Sequence, residues 1–135
     1  MSDVSEERFA LVNRALEAFS GDDIEALLAT MSPDIEGRPL ASVWPKTYHG
    51  HEGVAKWWRD VSELWETFGV EVDSLREVGE RVLIVGRYVG RPLGTVTDIQ
   101  APLAGLVTFD GDRASAISFF LDEAQALAAA EKEGP

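Results

Sequence analysis

The second half of the chain, from Val70 to Asp122, consists mainly of strand-forming sequence. Val, Ile, Tyr and Phe recur there in runs that are separated by glycine-containing turns. The most specific of these turns is Asp110-Gly111-Asp112, because Asp-Gly readily adopts the positive φ angles of a tight hairpin. The predicted strands are Val70–Val78, Arg81–Val89, Thr95–Phe109 and Ala114–Leu121.

The residues before Val70 predict three helices. Phe9, Val12, Leu16 and Phe19 recur at steps of three and four, which indicates an amphipathic first helix from about Ser5 to Ser20. Asp22 or Asp23 can cap the second helix, which is expected to end at Met31 because Pro33 follows. The remaining predictions are a short strand (Ile35–Leu40), a loop (Ala41–His49) and a third helix (about His51 to Phe68) whose apolar seam is Val54, Trp58, Val61, Trp65 and Phe68.

A helix is also expected after the last strand, with Asp122 as its cap and its end near Lys132. Helices followed by a run of antiparallel strands are typical of an α+β fold. The chain is therefore expected to form one domain over residues 1–135, with 132–135 as a tail.

Three motifs carry a resemblance to a known family. They are Gly21-Asp22 with Ala26, Tyr48-x-Gly50 with Gly53, and the closing Phe119-Phe120-Leu121-Asp122. With this spacing the chain resembles the nuclear-transport-factor-2-like superfamily, in its bacterial SnoaL-like and ketosteroid-isomerase-like branch. The resemblance implies a cone: a curved antiparallel sheet wrapped around three N-terminal helices (a cystatin-like α+β barrel), with a short C-terminal helix.

The resemblance also implies a cavity and a homodimer. The cavity is expected between the concave face of the sheet and helices one and three. The twofold contact is expected on the convex face, which would present Leu106, Thr108, Ser118 and Phe120.

Composition narrows the range of partners. The chain has 12 Lys and Arg against 24 Asp and Glu, so its formal net charge is −12. Such an excess of negative charge disfavours nucleic acid and anionic membranes as partners. There is no cysteine, and no apolar run approaches the roughly 20 residues that span a bilayer. With an acidic N-terminus as well, a cytoplasmic location is expected.

The residues that steroid isomerases of this superfamily use are not present. The resemblance places their general base at Pro39, their acid near Gly105 and their tyrosine at Ala15. None of these side chains can move a proton, so this reaction is not expected.

Other polar residues are weaker candidates for catalysis. Strand alternation turns Asp98 and Gln100 away from the cavity, unless Pro102 marks a bulge that reverses the phase. Only one of the adjacent residues Arg87 and Tyr88 can face the cavity, and an outward Arg87 with an inward Tyr88 is favoured because an unpaired buried guanidinium is costly. His49 and His51, two residues apart with no remote third ligand evident, do not indicate a metal site. No cofactor is predicted.

The leading hypothesis is a small-molecule-binding protein with an apolar, aromatic-lined cavity. The inward residues of the last two long strands are predicted to be Leu103, Gly105, Val107, Ile117, Phe119 and Leu121, nearly all apolar. The predicted ligand-contacting residues are Trp44, Tyr48, Trp58, Trp65, Tyr88, Leu103, Val107 and Phe119. The alternative is an isomerase, cyclase or hydrolase acting on a hydrophobic, polyketide-like or steroid-like molecule through Tyr88, Asp98, Arg87 or His49.

Overall fold

The computed structural model describes residues 3–21, 23–39 and 46–133. Its helices are α1 (Asp3–Ser20), α2 (Ile24–Ala29), α3 (Gly50–Leu64) and α4 (Glu123–Glu133). Its strands are β1 (Met31–Arg38), β2 (Tyr48–His49), β3 (Trp65–Val78), β4 (Arg81–Pro92), β5 (Ile99–Asp110) and β6 (Arg113–Phe120).

The described strands form one six-stranded sheet in the order β2-β1-β6-β5-β4-β3. Strands β3 to β6 follow one another antiparallel, whereas β1 runs parallel to β6. Irregularities in the pairing, such as the one between Val72 and Ser74 in β3, increase the twist and bend of a sheet. The sheet is curved but not closed, and helices α1 to α3 pack inside it, which confirms the α+β prediction.

The concave face of the sheet holds the larger hydrophobic core. Val82 and Ile84 of β4 point into it, and so do Leu103 and Val107 of β5, as strand alternation predicts. Together with Leu16 of α1 and their other neighbours they form one buried cluster. Burial of this apolar surface is the main force that holds the helices inside the cone.

The convex face of the sheet is partly covered by α4, and this corrects the predicted dimer surface. Leu106 and Phe120 lie in a second buried cluster with Ala126 and Ala130 of α4. They are only 4% exposed, so the chain's own helix occupies the surface where a partner was expected. Leu121 was expected to point inward, but it lies just beyond the end of β6 and is exposed.

The first strand begins earlier and ends earlier than its predicted range of Ile35–Leu40. Helix α2 ends at Ala29, and Met31 already begins β1, which contains Pro33. The pairing of β1 with β6 is irregular between Met31 and Glu36, so the missing N–H of Pro33 costs no ladder hydrogen bond there. The strand ends at Arg38, before Pro39. Leu40 of the predicted strand and residues 41–45 of the predicted loop lie outside the described residues.

Helix α3 is shorter than its sequence pattern suggests. It ends at Leu64, and Trp65 has the extended angles φ −125° and ψ 135°. Trp65 pairs with Pro92 in the β3–β4 ladder, and the carbonyl of Leu64 accepts a hydrogen bond of 3.1 Å from the N–H of Leu93. This pairing draws the two aromatic residues Trp65 and Phe68 from the predicted helix into a strand.

The predicted caps and the hairpin turn are confirmed. Asp23 accepts a hydrogen bond from the N–H of Ala26, and Asp122 accepts one from the N–H of Gln125. Gly111 has φ +63°, as the Asp-Gly hairpin requires. The last helix extends to Glu133, into the predicted tail. Within the described part of the chain, no helix is long and apolar enough to cross a membrane.

Candidate functional site

An apolar cavity lies between α1, α3 and β6. Its free volume is about 30 Å³, room for about two water molecules. None of the described residues that line it carries an ionisable group. The lining consists of Ala15, Leu16, Phe19, Leu27, Met31, Val54, Trp57, Trp58, Ile117 and Phe119.

The indole of Trp57 fills the space between the helices and the sheet. It stacks on the ring of Tyr48, with centroids 5.8 Å apart and planes 7° from parallel, and its centroid lies 6.1 Å from that of Phe119. The apolar seam predicted from the sequence includes Trp58 but not the adjacent Trp57. In the structure both rings line the cavity, because the apolar face of α3 is broad enough to include two consecutive residues.

A second pocket adjoins the apolar cavity and shares Phe19 and Trp58 with it. Its volume is about 110 Å³. Unlike the apolar cavity it is lined in part by residues with polar side chains, Ser62 and Glu66. The residues that line this second pocket are Phe19, Trp58, Val61, Ser62, Trp65, Glu66 and Phe68.

The other predicted ligand-contacting residues lie near these two spaces. Tyr88 stacks on Phe68, with centroids 5.8 Å apart, and contacts the edge of Trp65. Leu103 and Val107 are buried in the concave core without lining either space, and Trp44 lies outside the described residues. Thus Trp58, Trp65 and Phe119 line the apolar cavity or the second pocket. Tyr48 and Tyr88 line neither space, but they pack against rings that do.

The side chain of Tyr48 is held by the carboxylate of Asp60, which also contacts two lysines. Its hydroxyl donates a hydrogen bond of 2.7 Å to Oδ2 of Asp60, and Lys56 and Lys46 lie within 3.2 and 3.9 Å of the same oxygen. Burial, followed by the hydrogen bond to Asp60, raises the pKa of Tyr48 to about 12. The hydrogen bond from Tyr48, followed by that from Lys56, lowers the pKa of Asp60. The tyrosine therefore stays neutral and anchors β2 on α3.

Three of the four polar candidates for catalysis, Asp98, Arg87 and His49, have their polar contacts on the exposed surface, whereas Tyr88 packs on the concave core. Asp98 accepts a hydrogen bond of 3.0 Å from Arg91, and Arg87 pairs with Glu71 at 2.6 Å, in both cases on the exposed surface. The outward direction predicted for Asp98 and Arg87 agrees with these contacts. His49 Nδ1 lies 3.6 Å from Glu36, and it is exposed as well.

The three isomerase positions lack proton-carrying groups in the structure too. Ala15 lines the apolar cavity, and Pro39 follows the end of β1. A Cβ on Gly105 would lie 3.0 Å from Cε1 of Phe119, so the packing of β5 on β6 leaves little room for a side chain there.

Sequence reasoning missed three of the rings at the site: Phe19, Trp57 and Phe68. Phe19 was recognised only as part of the apolar stripe of α1, although it lies at the junction of both spaces. The sequence did contain a signal for Phe19, because it lies in the last turn of helix one and this helix was expected to form a wall of the cavity. No sequence signal pointed to the pairing of Tyr48 with Asp60.

The comparisons with known proteins decide the family. The model of the SnoaL-like domain matches residues 12–117, most of the chain. The chain belongs to the SnoaL-like domain family. No curated protein was found to match the chain.

Several solved structures share the fold of this SnoaL-like domain. An NTF2-like protein of unknown function from Burkholderia pseudomallei is 23% identical, with a TM-score of 0.77 over 95% of this chain and 97% of its own. TerC, co-crystallized with polyporic acid, is 19% identical, with a TM-score of 0.76 over 91% and 96% of the two chains. A candidate SnoaL-like polyketide cyclase from Jannaschia sp. CCS1 is 18% identical, with a TM-score of 0.75 over 100% and 98%.

Proposed function

We propose that this SnoaL-like domain binds a small, flat and mostly apolar molecule inside its cone. The observation that carries the proposal is the lining of the apolar cavity, which is made of aromatic and aliphatic side chains without an ionisable group. Transfer of apolar ligand surface from water into such a lining is favourable. The neighbour TerC, which shares this fold, has been co-crystallized with polyporic acid.

Binding requires the aromatic side chains to move. The free volume of about 30 Å³ is too small for even one aromatic ring, and Trp57 occupies the space that a ring would need. A ligand would therefore bind a conformation in which Trp57 or Trp58 has turned aside, and its affinity would be reduced by the cost of reaching that conformation. Small single-ring or two-ring molecules are the expected ligands.

Binding without turnover agrees best with the described lining of the apolar cavity, which contains no ionisable residue. General acid–base catalysis needs a group within hydrogen-bond reach of the reacting atoms. The carboxylate of Asp98 and the guanidinium of Arg87 form ion pairs on the exposed surface instead. The neighbour described as a polyketide cyclase is 18% identical, so it supports the shared fold only.

We further propose that the domain is a cytoplasmic homodimer. The cysteine-free, acidic composition supports the location. The surface proposed for the dimer is the part of the convex face that α4 leaves open, near Val85, Arg87 and Pro102. This open part lies beside the acidic start of α4 at Asp122 and Glu123.

A fluorescence titration with naphthalene tests the binding function. Trp57 and Trp58 line the cavity, so occupancy should change the tryptophan emission in a saturable way. A parallel ultraviolet assay with a 3-keto-Δ5 steroid should show no formation of the conjugated enone. Saturable binding without turnover supports the proposal, whereas turnover above the buffer rate would favour the enzyme alternative.

A further inference from the structure

The second pocket differs in chemistry from the apolar cavity beside it. Four aromatic rings line it, those of Phe19, Trp58, Trp65 and Phe68, together with two oxygen-bearing side chains. The hydroxyl of Ser62 donates its hydrogen bond to the carbonyl of Trp58 at 2.9 Å, so the lone pairs of its oxygen are what it can offer to a ligand. No Lys or Arg is among the described residues of this lining.

Residues from the last turns of two helices line the second pocket. Phe19 lies in the last turn of α1, and Val61 and Ser62 lie in the last turn of α3. The C-terminus of a helix carries a partial negative charge of about half a unit, which Lys or Arg in the last turn usually balances. Neither α1 nor α3 has a basic residue in its last turn. These helix ends therefore favour a cation at the pocket, in a chain of formal net charge −12.

Glu66 adds a carboxylate to this negative field. Its Oε2 lies 3.9 Å from Nη1 of Arg91, which makes a shorter contact of 3.0 Å with Asp98 through Nε. Arg91 is thus shared between two carboxylates and balances Glu66 only in part. Both side chains are about half exposed or less, so a ligand can compete with this weak ion pair.

We propose that the second pocket binds a small alkylated ammonium group, such as a trimethylammonium head. Aromatic rings attract cations through the negative faces of their π-systems, and desolvated sites strengthen this attraction. A group with an apolar surface and a delocalised positive charge matches rings, carboxylate and helix ends together. The volume of about 110 Å³ is more than three times the roughly 30 Å³ of the apolar cavity and suits a group of about four or five heavy atoms.

This inference does not depend on the proposed function. The ligand is cationic rather than apolar, and it occupies a space on the other side of Trp58 and Phe19 from the apolar cavity. Ala15 lines only the apolar cavity of the two. The change Ala15→Leu should therefore leave ammonium binding unchanged, even where it abolishes the binding of naphthalene.

The test is a titration with choline chloride, followed by the NMR signals of the tryptophan indole N–H groups. The neutral control ligand is 3,3-dimethyl-1-butanol, which has the shape of choline without its charge, and potassium chloride controls for ionic strength. Roughly millimolar binding of choline is expected, with at least about tenfold weaker binding of the neutral analogue. Two indole signals, those of Trp58 and Trp65, should shift most.

Three variants separate the contributions. Glu66→Gln should weaken choline binding about tenfold, whereas Glu63→Gln, the same charge change on an exposed residue in the last turn of α3, should not. Arg91→Gln should tighten binding, because it removes the competing cation. Trp65→Leu should weaken binding in a protein whose circular dichroism is unchanged.

Three results would overturn the inference. They are equal affinity for choline and its neutral analogue, equal effects of Glu66→Gln and Glu63→Gln, and no saturable shift at high millimolar choline in a folded protein.

Discussion

Trp57 lies against Gly37 so closely that a Cβ at position 37 would come within 2.7 Å of its Cζ3 atom. Gly37 is in β1, and it pairs with Tyr48 of β2, the residue on whose ring Trp57 stacks. The edge of the sheet therefore fixes the position of the ring that fills the cone. The conformation in which Trp57 fills the cone therefore requires that position 37 has no side chain.

The change Gly37→Ala should displace Trp57 and lower the free energy of unfolding by about 1–3 kcal/mol, the usual cost of overpacking. The measurement is urea denaturation. In the Trp57→Ala background the same change should cost much less, because the clashing ring is gone. Strictly additive effects in this double-mutant cycle would show that Gly37 does not act through Trp57.

The change Trp57→Ala should lower the free energy of unfolding by about 3–5 kcal/mol, because it leaves a cavity in a core of buried rings. The enlarged cavity should also let indole bind, so that added indole raises the melting temperature of this variant more than that of the wild type. Leu64→Ala is the control, since Leu64 is 66% exposed and its loss should change stability by less than about 0.5 kcal/mol. A small effect of Trp57→Ala would mean that this ring does not fill the cone.

Stability should fall at high pH through Tyr48. Its folded-state pKa of about 12 lies above the ordinary value of 10.0, so its contribution is complete below pH 10 and is lost as the pH rises through 12. Tyr48→Phe cannot ionise at this position, and its stability curve should lack this alkaline component. Denaturation from pH 8 to 12.5 measures both curves, and parallel curves would contradict the raised pKa of the buried Tyr48.

The carboxylate of Asp60 should affect the pH dependence of stability at acid pH. Its pKa is lowered, chiefly by the hydrogen bond from Tyr48, so its contribution is present above its ordinary value of 3.8 and is lost as the pH falls through the folded value. Asp60→Asn should flatten the acid limb of the stability curve. Asp34→Asn, a change at an exposed residue of β1, is the control and should leave that limb unchanged.

Light scattering should give a dimer, and Pro102→Glu should shift it towards the monomer. Pro102 is exposed on the convex face beside the acidic start of α4, where an added carboxylate would face the partner's copy of the same acidic surface. Ala10→Glu on α1 makes the same change of charge away from this face and should have no effect. A wild-type monomer at tens of micromolar would contradict the homodimer.

The strands and caps could be predicted because their signals are local. The Asp110-Gly111 turn needs only the conformational freedom of its own residues, and the inward phase of Leu103 and Val107 follows from alternation along one strand. The end of α3 could not be predicted in this way. The residues Trp65 to Phe68 continue its helical pattern, and only pairing with β4, far along the chain, makes them a strand.

The candidate site was predictable by element but not by residue. The sequence indicated that helices one and three form its walls, and Trp58 and Phe119 do line it. It could not show that Trp57 fills the space, since this depends on the missing side chain of Gly37 on another element. It also could not show that α4 covers Leu106 and Phe120, because a weakly amphipathic, alanine-rich helix gives no indication of the face on which it packs.

The most direct test of ligand binding inside the cone is a substitution that places a larger side chain in the lining of the apolar cavity. Ala15 lines the cavity and Ala10 is exposed on the same helix, so Ala15→Leu and Ala10→Leu add the same atoms in different places. In a tryptophan-fluorescence titration with naphthalene, Ala10→Leu should bind like the wild type, and Ala15→Leu should lose at least about tenfold in affinity. Equal affinity of all three proteins, or no saturable binding by the folded wild type, would contradict the account.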